Sequence, residues 1–403
     1  MSANTPTVSK SANVLPPPTE RYSVVRWLHK NLFSTWYNTL LTIIMLALAG
    51  LIVRNVLEWA LTQARWDVIT VNMRLFMVGQ YPVNELWRIW ACVVLLAFLI
   101  GMSWGIWGRM QRGGAIAFGA LPFLLAIVTS DDASRVALIA TGIAGVIGYA
   151  LSWRWGGILQ RASIVGWILY FPILFILVNG IGGGDSPLPP VPTNLWGGLL
   201  LTLLLTVVGI VFSFPIGVLL ALGRQSKLPV ISWLCVGYIE LIRGVPFISV
   251  LFMAQLMLPL FLPGVTIDRV VRAMAGVVVF SAAYLAENVR GGLQSIPRGQ
   301  YEAAYALGLS SWKMTLLIIL PQALRAVIPI LVGQFIALFK DTSLVVIVGL
   351  LDLMGIARTV LAQPDFLGLQ AEVYTFIALV YGVFCYLMSA FSQRLEAKLH
   401  IGR

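Results

Sequence analysis

Long uninterrupted apolar runs, separated by short polar segments, set the pattern of this chain. They lie at roughly 38–57, 87–107, 115–130, 134–151, 163–181, 196–222, 231–262, 271–294, 323–350 and 373–393. An α-helix needs about 20 apolar residues to cross roughly 30 Å of hydrocarbon. The pattern therefore predicts an all-α, polytopic membrane protein with about ten crossings, the third of them short. The seventh run carries Pro246 and Pro259, which predicts a broken or kinked helix there. Residues 1–21 are rich in Ser, Thr, Asn and Pro and are expected to be a disordered tail. No signal peptide is expected, because the first apolar run comes late and is long. The Gly/Pro-rich stretch 182–195 reads as a linker between an N-terminal region, 22–181, and a second membrane region, 196–396.

Composition agrees with this reading. Of the 403 residues, 59% are hydrophobic and only 11% charged, against roughly 25% charged in a soluble domain. The net charge of +11 belongs to loops that set membrane orientation, and no nucleic-acid partner is expected. Cys92, Cys235 and Cys385 all sit in apolar runs, and the only histidines, His29 and His400, lie near the chain ends. Neither thiol chemistry nor a metal site is expected. The Trp-rich N-terminal half, with Trp87, Trp90, Trp104, Trp107, Trp153 and Trp155, reads as interfacial anchoring.

Basic residues fix an orientation. With the N-terminus cytoplasmic, the inner segments hold Lys10, Arg21, Arg26, Lys30, Arg109, Arg112, Arg154, Arg161, Arg224 and Lys227. They continue with the Arg290–Arg325 loop and with Arg394, Lys398 and Arg403, while 182–195 holds no Lys or Arg. Both termini are predicted to be cytoplasmic, which also places the segment after Arg290 inside.

That inner segment, about 297–321, contains Glu302-Ala303-Ala304, then Gly308, Ile318 and Leu320-Pro321. Gly308 can end a first helix in the left-handed conformation. Ser310 or Ser311 can cap a second short helix, with Pro321 closing it off. The string fits E-A-A-x₃-G-x₉-I-x-L-P and resembles the EAA loop of bacterial ABC importer permeases. The resemblance implies a MetI-like five-helix core over 196–396. It also implies that Glu302, Ala303, Ala304, Gly308, Leu320 and Pro321 couple the chain to a separate ABC ATPase. No Walker A string occurs here, so ATP-Mg is expected on that partner and no cofactor in this chain.

Three further strings carry intramembrane charge. Phe339-Lys340-Asp341-Thr342-Ser343-Leu344 places costly charges in the ninth run. They are either a structural pair or the lining of a substrate path, where Asp341 could accept from an ammonium and Lys340 donate to a carboxylate. Glu240, Arg243, Gly244 and Pro246 read as a charge pair at i,i+3 beside a hinge. Glu287 either pairs with Arg290 or faces the path, and Gln255 and Gln334 are further polar candidates. The strings K-D-T-S-L and E-x-x-R-G-x-P resemble those of amino-acid permeases, and the extra N-terminal spans resemble the M-type subunit of general L-amino acid ABC transporters. That resemblance implies a homologous Q-type permease, two ABC ATPase subunits and a periplasmic amino-acid-binding protein as partners. It implies membrane lipid around the chain, an L-amino acid as substrate, and a place in the bacterial inner membrane. An ion-coupled secondary amino-acid transporter is the alternative.

Overall fold

The computed structural model describes residues 24–107, 112–129, 131–183, 186–261, 264 and 267–399. The predicted tail 1–21 lies outside them. Residues 24–65 form a unit of their own, in which α1 (Val24–Leu32) is followed by α2 (Trp36–Glu58). Thr35 caps α2 by accepting from the Asn38 backbone N–H. None of the α2 residues is buried, as expected of a helix whose solvent is lipid.

The second unit begins at Trp66. It contains α3 (Asp67–Val71), α4 (Met73–Val78), α5 (Leu86–Trp107), α6 (Arg112–Val128) and α7 (Asp132–Asn179). There follow α8 (Gly198–Arg224), α9 (Pro229–Arg243), α10 (Phe247–Phe252), α11 (Leu258–Phe261) and α12 (Arg269–Gln294). The last five are α13 (Arg298–Ala306), α14 (Ser311–Met314), α15 (Leu320–Asp341), α16 (Leu353–Leu361) and α17 (Gln370–Leu399). Helices from both sides of the Gly/Pro-rich stretch thus share one compact unit.

Among the described residues, eight helical stretches are long and apolar enough to cross a membrane, or nine if the bent pair α9 and α10–α11 is one span. The pattern predicts ten. The shortfall is α6, whose apolar part covers only Phe118–Ile127. The bend of 107° in the seventh run falls at Gly244-Val245-Pro246, because Pro246 removes a backbone donor and disfavours helix at the residue before it. Pro259 ends nothing: it lies inside α11, just past a wide π-turn over Met253–Met257. The long α7 is kinked at Trp155, which leaves helical backbone angles and separates two span-length segments.

Small residues bring α5 and α7 together. A Cβ at Gly101 would lie 2.1 Å from the Gly145 carbonyl, and one at Gly148 would lie 2.3 Å from that of Phe98. Such close backbone approach substitutes for the hydrophobic drive that lipid does not provide. In the C-terminal half, α12 is central and the most deeply buried of the described spans. It packs on α8, α9 and α15, leaving Val277, Ala282, Leu285 and Val289 inside.

The candidate coupling loop and charge cluster

The loop 297–321 is an elbow built on a small apolar core. Helix α13 ends in a glycine-based C-cap, with the Gly308 N–H donating to the Tyr305 carbonyl at 2.9 Å and Leu309 N–H to that of Ala304 at 3.2 Å. Gly308 has φ +72°, a conformation that costs a residue with Cβ about 1–2 kcal/mol. Ala304 is 1% exposed and packs with Ala286, Val289, Leu293, Met314, Ile319 and Ala323. The adjacent Glu302, Ala303 and Gly308 are exposed, as are Tyr305, Leu307, Trp312 and Leu317. Leu320 is half-buried and Pro321 exposed. Ala304 therefore anchors the elbow, with Ile318 and Leu320 packed against the same core, while Glu302, Ala303, Gly308 and Pro321 face outward.

Two local expectations are corrected. Ser310 stands at the cap position of α14, but its side chain makes no cap hydrogen bond. Pro321 does not close the second helix. It stands in the first turn of α15, and the chain stays helical from Ser311 to Val348. The missing Pro321 N–H is accommodated by a wide π-turn over Thr315–Ile319. The second arm of the elbow is therefore the start of a long span, giving a rigid connection into the membrane region. Gln322 Nε2 ties the arms by donating to Gln300 Oε1 at 3.2 Å.

Above this elbow the predicted Glu240–Arg243 pair is not formed. Arg224, the last residue of α8, donates from Nη1 to Glu240 Oε1 at 3.1 Å and to Glu287 Oε2 at 3.1 Å. Arg290 donates to Glu287 Oε1, and Arg243 Nη1 lies 3.9 Å from Glu287 Oε2. The Arg243 guanidinium also sits 5.6 Å from the centre of the Tyr284 ring. Being i,i+3 makes a pair possible without compelling it. Here α9 ends at Arg243, whose side chain turns to α12, while Glu240 turns to α8. Of the two readings of Glu287, pairing with Arg290 is realised, and Glu287 is the hub of the cluster. Gly244 and Pro246 stand at the adjacent helix break.

The K-D-T-S string occupies the place where α15 tightens into a 3₁₀ segment, Thr342–Val348. Lys340 is exposed, Asp341 and Ser343 half-buried, and Thr342 is buried, its hydroxyl donating to the Phe339 carbonyl at 2.7 Å. The resolved ion pairs lie elsewhere, so Lys340 and Asp341 are not joined to one another in any of them. Gln255 is buried and donates to the Arg269 carbonyl at 2.6 Å, a tie between the π-turn and α12. Gln334 is half-buried.

A polar knot that the sequence does not announce lies behind this string. The fully buried Asp352 caps α16, accepting from the Gly355 and Met354 backbone N–H groups at 2.9 and 3.2 Å. Tyr381 of α17 donates to Asp352 Oδ2 at 3.4 Å, and Leu353 N–H donates to Thr202 Oγ1 of α8 at 3.1 Å. Ordinary helix-capping chemistry gives Asp352 away, but Thr202 and Tyr381 carry no local signal.

The elbow, the broken span over α9–α11 and the buried span α12 belong to one multi-span helical membrane unit. Residues 213–401 match the family described as binding-protein-dependent transport system inner membrane component. The inner membrane amino-acid ABC transporter permease protein YhdY of Escherichia coli strain K12 is 41% identical over 394 residues, covering 94% of this chain and 93% of the relative. The glutamate/glutamine/aspartate/asparagine transport system permease protein BztC of Rhodobacter capsulatus is 36% identical over 431 residues, covering 95% of each chain. The glutamate/aspartate import permease protein GltK of Escherichia coli O157:H7 is 40% identical over 205 residues, covering 90% of its own length but 49% of this chain. This chain belongs to the amino-acid ABC transporter permeases, inner-membrane components of binding-protein-dependent transport systems. Family membership sets aside the ion-coupled alternative.

Proposed function

We propose that this chain is a transmembrane subunit for ATP-driven uptake of L-amino acids, working by alternating access. The observation that carries the coupling step is the elbow: exposed Glu302, Tyr305, Leu307 and Trp312 project from two arms fixed beneath by buried Ala304. An exposed apolar patch rimmed by charge on a rigid base suits a protein partner. The partner is a separate ABC ATPase that binds ATP-Mg. Closure of its dimer moves the elbow, and the unbroken helix from Ser311 carries that motion to Lys340 and Asp341.

In this reading the chain pairs with a homologous permease, two ATPases serve the pair, and a periplasmic binding protein delivers substrate. Lys340, Asp341, Thr342 and Ser343 line the path, with Lys340 supplying a donor for the substrate carboxylate and Asp341 an acceptor for its ammonium. Glu287 belongs to the charge cluster rather than to the path. The relatives' names make glutamate, glutamine, aspartate and asparagine the substrates to test first. Loop charge supports cytoplasmic termini. That topology needs an even number of crossings, which the bent pair and α6 together would complete.

The test is uptake and stimulated ATP hydrolysis by the reconstituted complex with Glu302→Lys. The expected result is retained assembly of the membrane subunits with loss of both activities. Unchanged uptake and hydrolysis would remove the coupling assignment. Separately, Asp341→Asn that left amino-acid affinity and uptake unaltered would remove Asp341 from the path.

A further inference from the structure

The polar knot behind the K-D-T-S string joins four elements at one point. Tyr381 of α17 reaches Asp352 at the start of α16 at 3.4 Å, and the hydroxyls of Thr202 on α8 and Thr342 in the 3₁₀ segment stand near its own, spent on the Gly198 and Phe339 carbonyls. Thr202, Thr342 and Asp352 are 0%, 1% and 0% exposed. The ring of Tyr381 lies against Phe339, centroids 5.0 Å apart, and Phe339 itself is buried. Tyr381 therefore touches the residue before Lys340 with its ring, while its hydroxyl is tied to Asp352. The two charged residues that follow Phe339 carry the proposed path chemistry.

A side chain bonded to Asp352 at its hydroxyl and packed on Phe339 along its ring is held at two points. The Asp352 carboxylate is immobilised by two backbone N–H groups, and Thr202 is held by its donation to the Gly198 carbonyl at 3.1 Å and by Leu353 N–H. In a low-dielectric interior such a satisfied network is stiff, and losing one member leaves the others short of a partner. The segment is thereby held at Phe339, whose carbonyl takes the Thr342 hydroxyl where the helix changes its winding.

We propose that Tyr381, anchored by Asp352, is a positioning residue for substrate handling: it fixes Phe339, and through it the turn at Thr342, and so sets where Lys340 and Asp341 present their charges. The proposal rests on the reading of Lys340 and Asp341 as path residues. Tyr381 touches no substrate and acts through the segment it clamps.

The experiment uses the complete transport complex in proteoliposomes, with radiolabelled L-glutamate and L-glutamine as probes. Tyr381→Phe removes the hydroxyl and keeps the ring against Phe339. It is expected to raise the half-saturating substrate concentration roughly three- to tenfold, the worth of one hydrogen bond. Maximal rate and assembly should hold. Asp341→Asn is measured alone and combined with Tyr381→Phe. Because both act on one segment, the combined shift is expected to fall short of the product of the two single shifts. If Tyr381→Phe yields too little complex, Asp352→Asn, which reverses the polarity offered to the tyrosine hydroxyl, should shift half-saturation in the same direction. Wild-type half-saturation in Tyr381→Phe beside an impaired Asp341→Asn overturns the positioning role and leaves the path reading intact. Full multiplicativity of the two shifts also overturns it. An unaffected Asp341→Asn removes the path reading and the positioning role with it.

Discussion

Arg224 and Glu287 meet at 3.1 Å between the end of α8 and the interior of α12, and the same guanidinium nitrogen also holds Glu240 of α9. One arginine thus ties three helices just above the elbow. Glu287 is only 20% exposed and receives three guanidinium groups, whereas Glu240 is 55% exposed. Glu287→Gln should therefore lower the stability of the purified complex by roughly 1.5–3 kcal/mol, the worth of charged hydrogen bonds. Glu240→Gln should cost about 0–1 kcal/mol. Double-mutant cycles by chemical denaturation should give a clear coupling for Arg224 with Glu287 and almost none for Glu240 with Arg243. A strong Glu240–Arg243 coupling would return the pair to its sequence-predicted form.

Much of this architecture is legible in the sequence because lipid enforces it. Apolar length gives the spans, Gly308 the end of α13, and Pro246 the break. What escapes has physical causes. Pro321 is a helix breaker only where the backbone cannot adjust, and the wide turn over Thr315–Ile319 adjusts it. Glu240 and Arg243 are close in sequence, but partners on neighbouring helices compete for each of them. The contacts that join Asp352 to Tyr381 and Leu353 to Thr202 link residues 29 and 151 positions apart. No local pattern records such separations.

The cap at Gly308 gives a prediction about coupling rather than packing. Nothing lies within 4 Å of where a Cβ would stand, yet φ is +72°. Gly308→Ala therefore meets no clash and only backbone strain, about 1–2 kcal/mol. Local relief of that strain would tilt α13 against α14. Stimulated ATP hydrolysis should fall more than the thermal stability of the membrane domain does. An effect on stability with hydrolysis intact would speak against the elbow as the coupling element.

The approach of α5 and α7 predicts the reverse, a defect of packing remote from coupling. A side chain at Gly148 would meet the Phe98 carbonyl, which cannot move without disturbing its own helix. Gly148→Leu should separate the two helices and cost at least the roughly 1–3 kcal/mol of overpacking. Cysteines placed on the facing surfaces of α5 and α7 would report the separation as lost crosslinking. Retained crosslinking and stability would contradict the close packing.

Asp352 supplies the pH dependence. Burial pushes its carboxyl up to about 6, against the N–H groups of Gly355 and Met354 and the Tyr381 hydroxyl, which favour the ionised form. The unfolded chain gives up this proton near pH 4. Between about 4 and 6 the folded chain holds the proton and the unfolded chain does not, so this group's contribution to stability is full below 4 and falls as pH rises to 6. The loss is on the order of 3 kcal/mol. Asn caps a helix about as well as Asp, so Asp352→Asn keeps the cap and removes the titration. Wild type should gain stability over Asp352→Asn on moving from pH 7 to pH 4.5, read as the difference of their unfolding midpoints at each pH. Other carboxylates are common to both proteins and cancel. A difference that did not change with pH would show that Asp352 keeps an ordinary acidity in the fold.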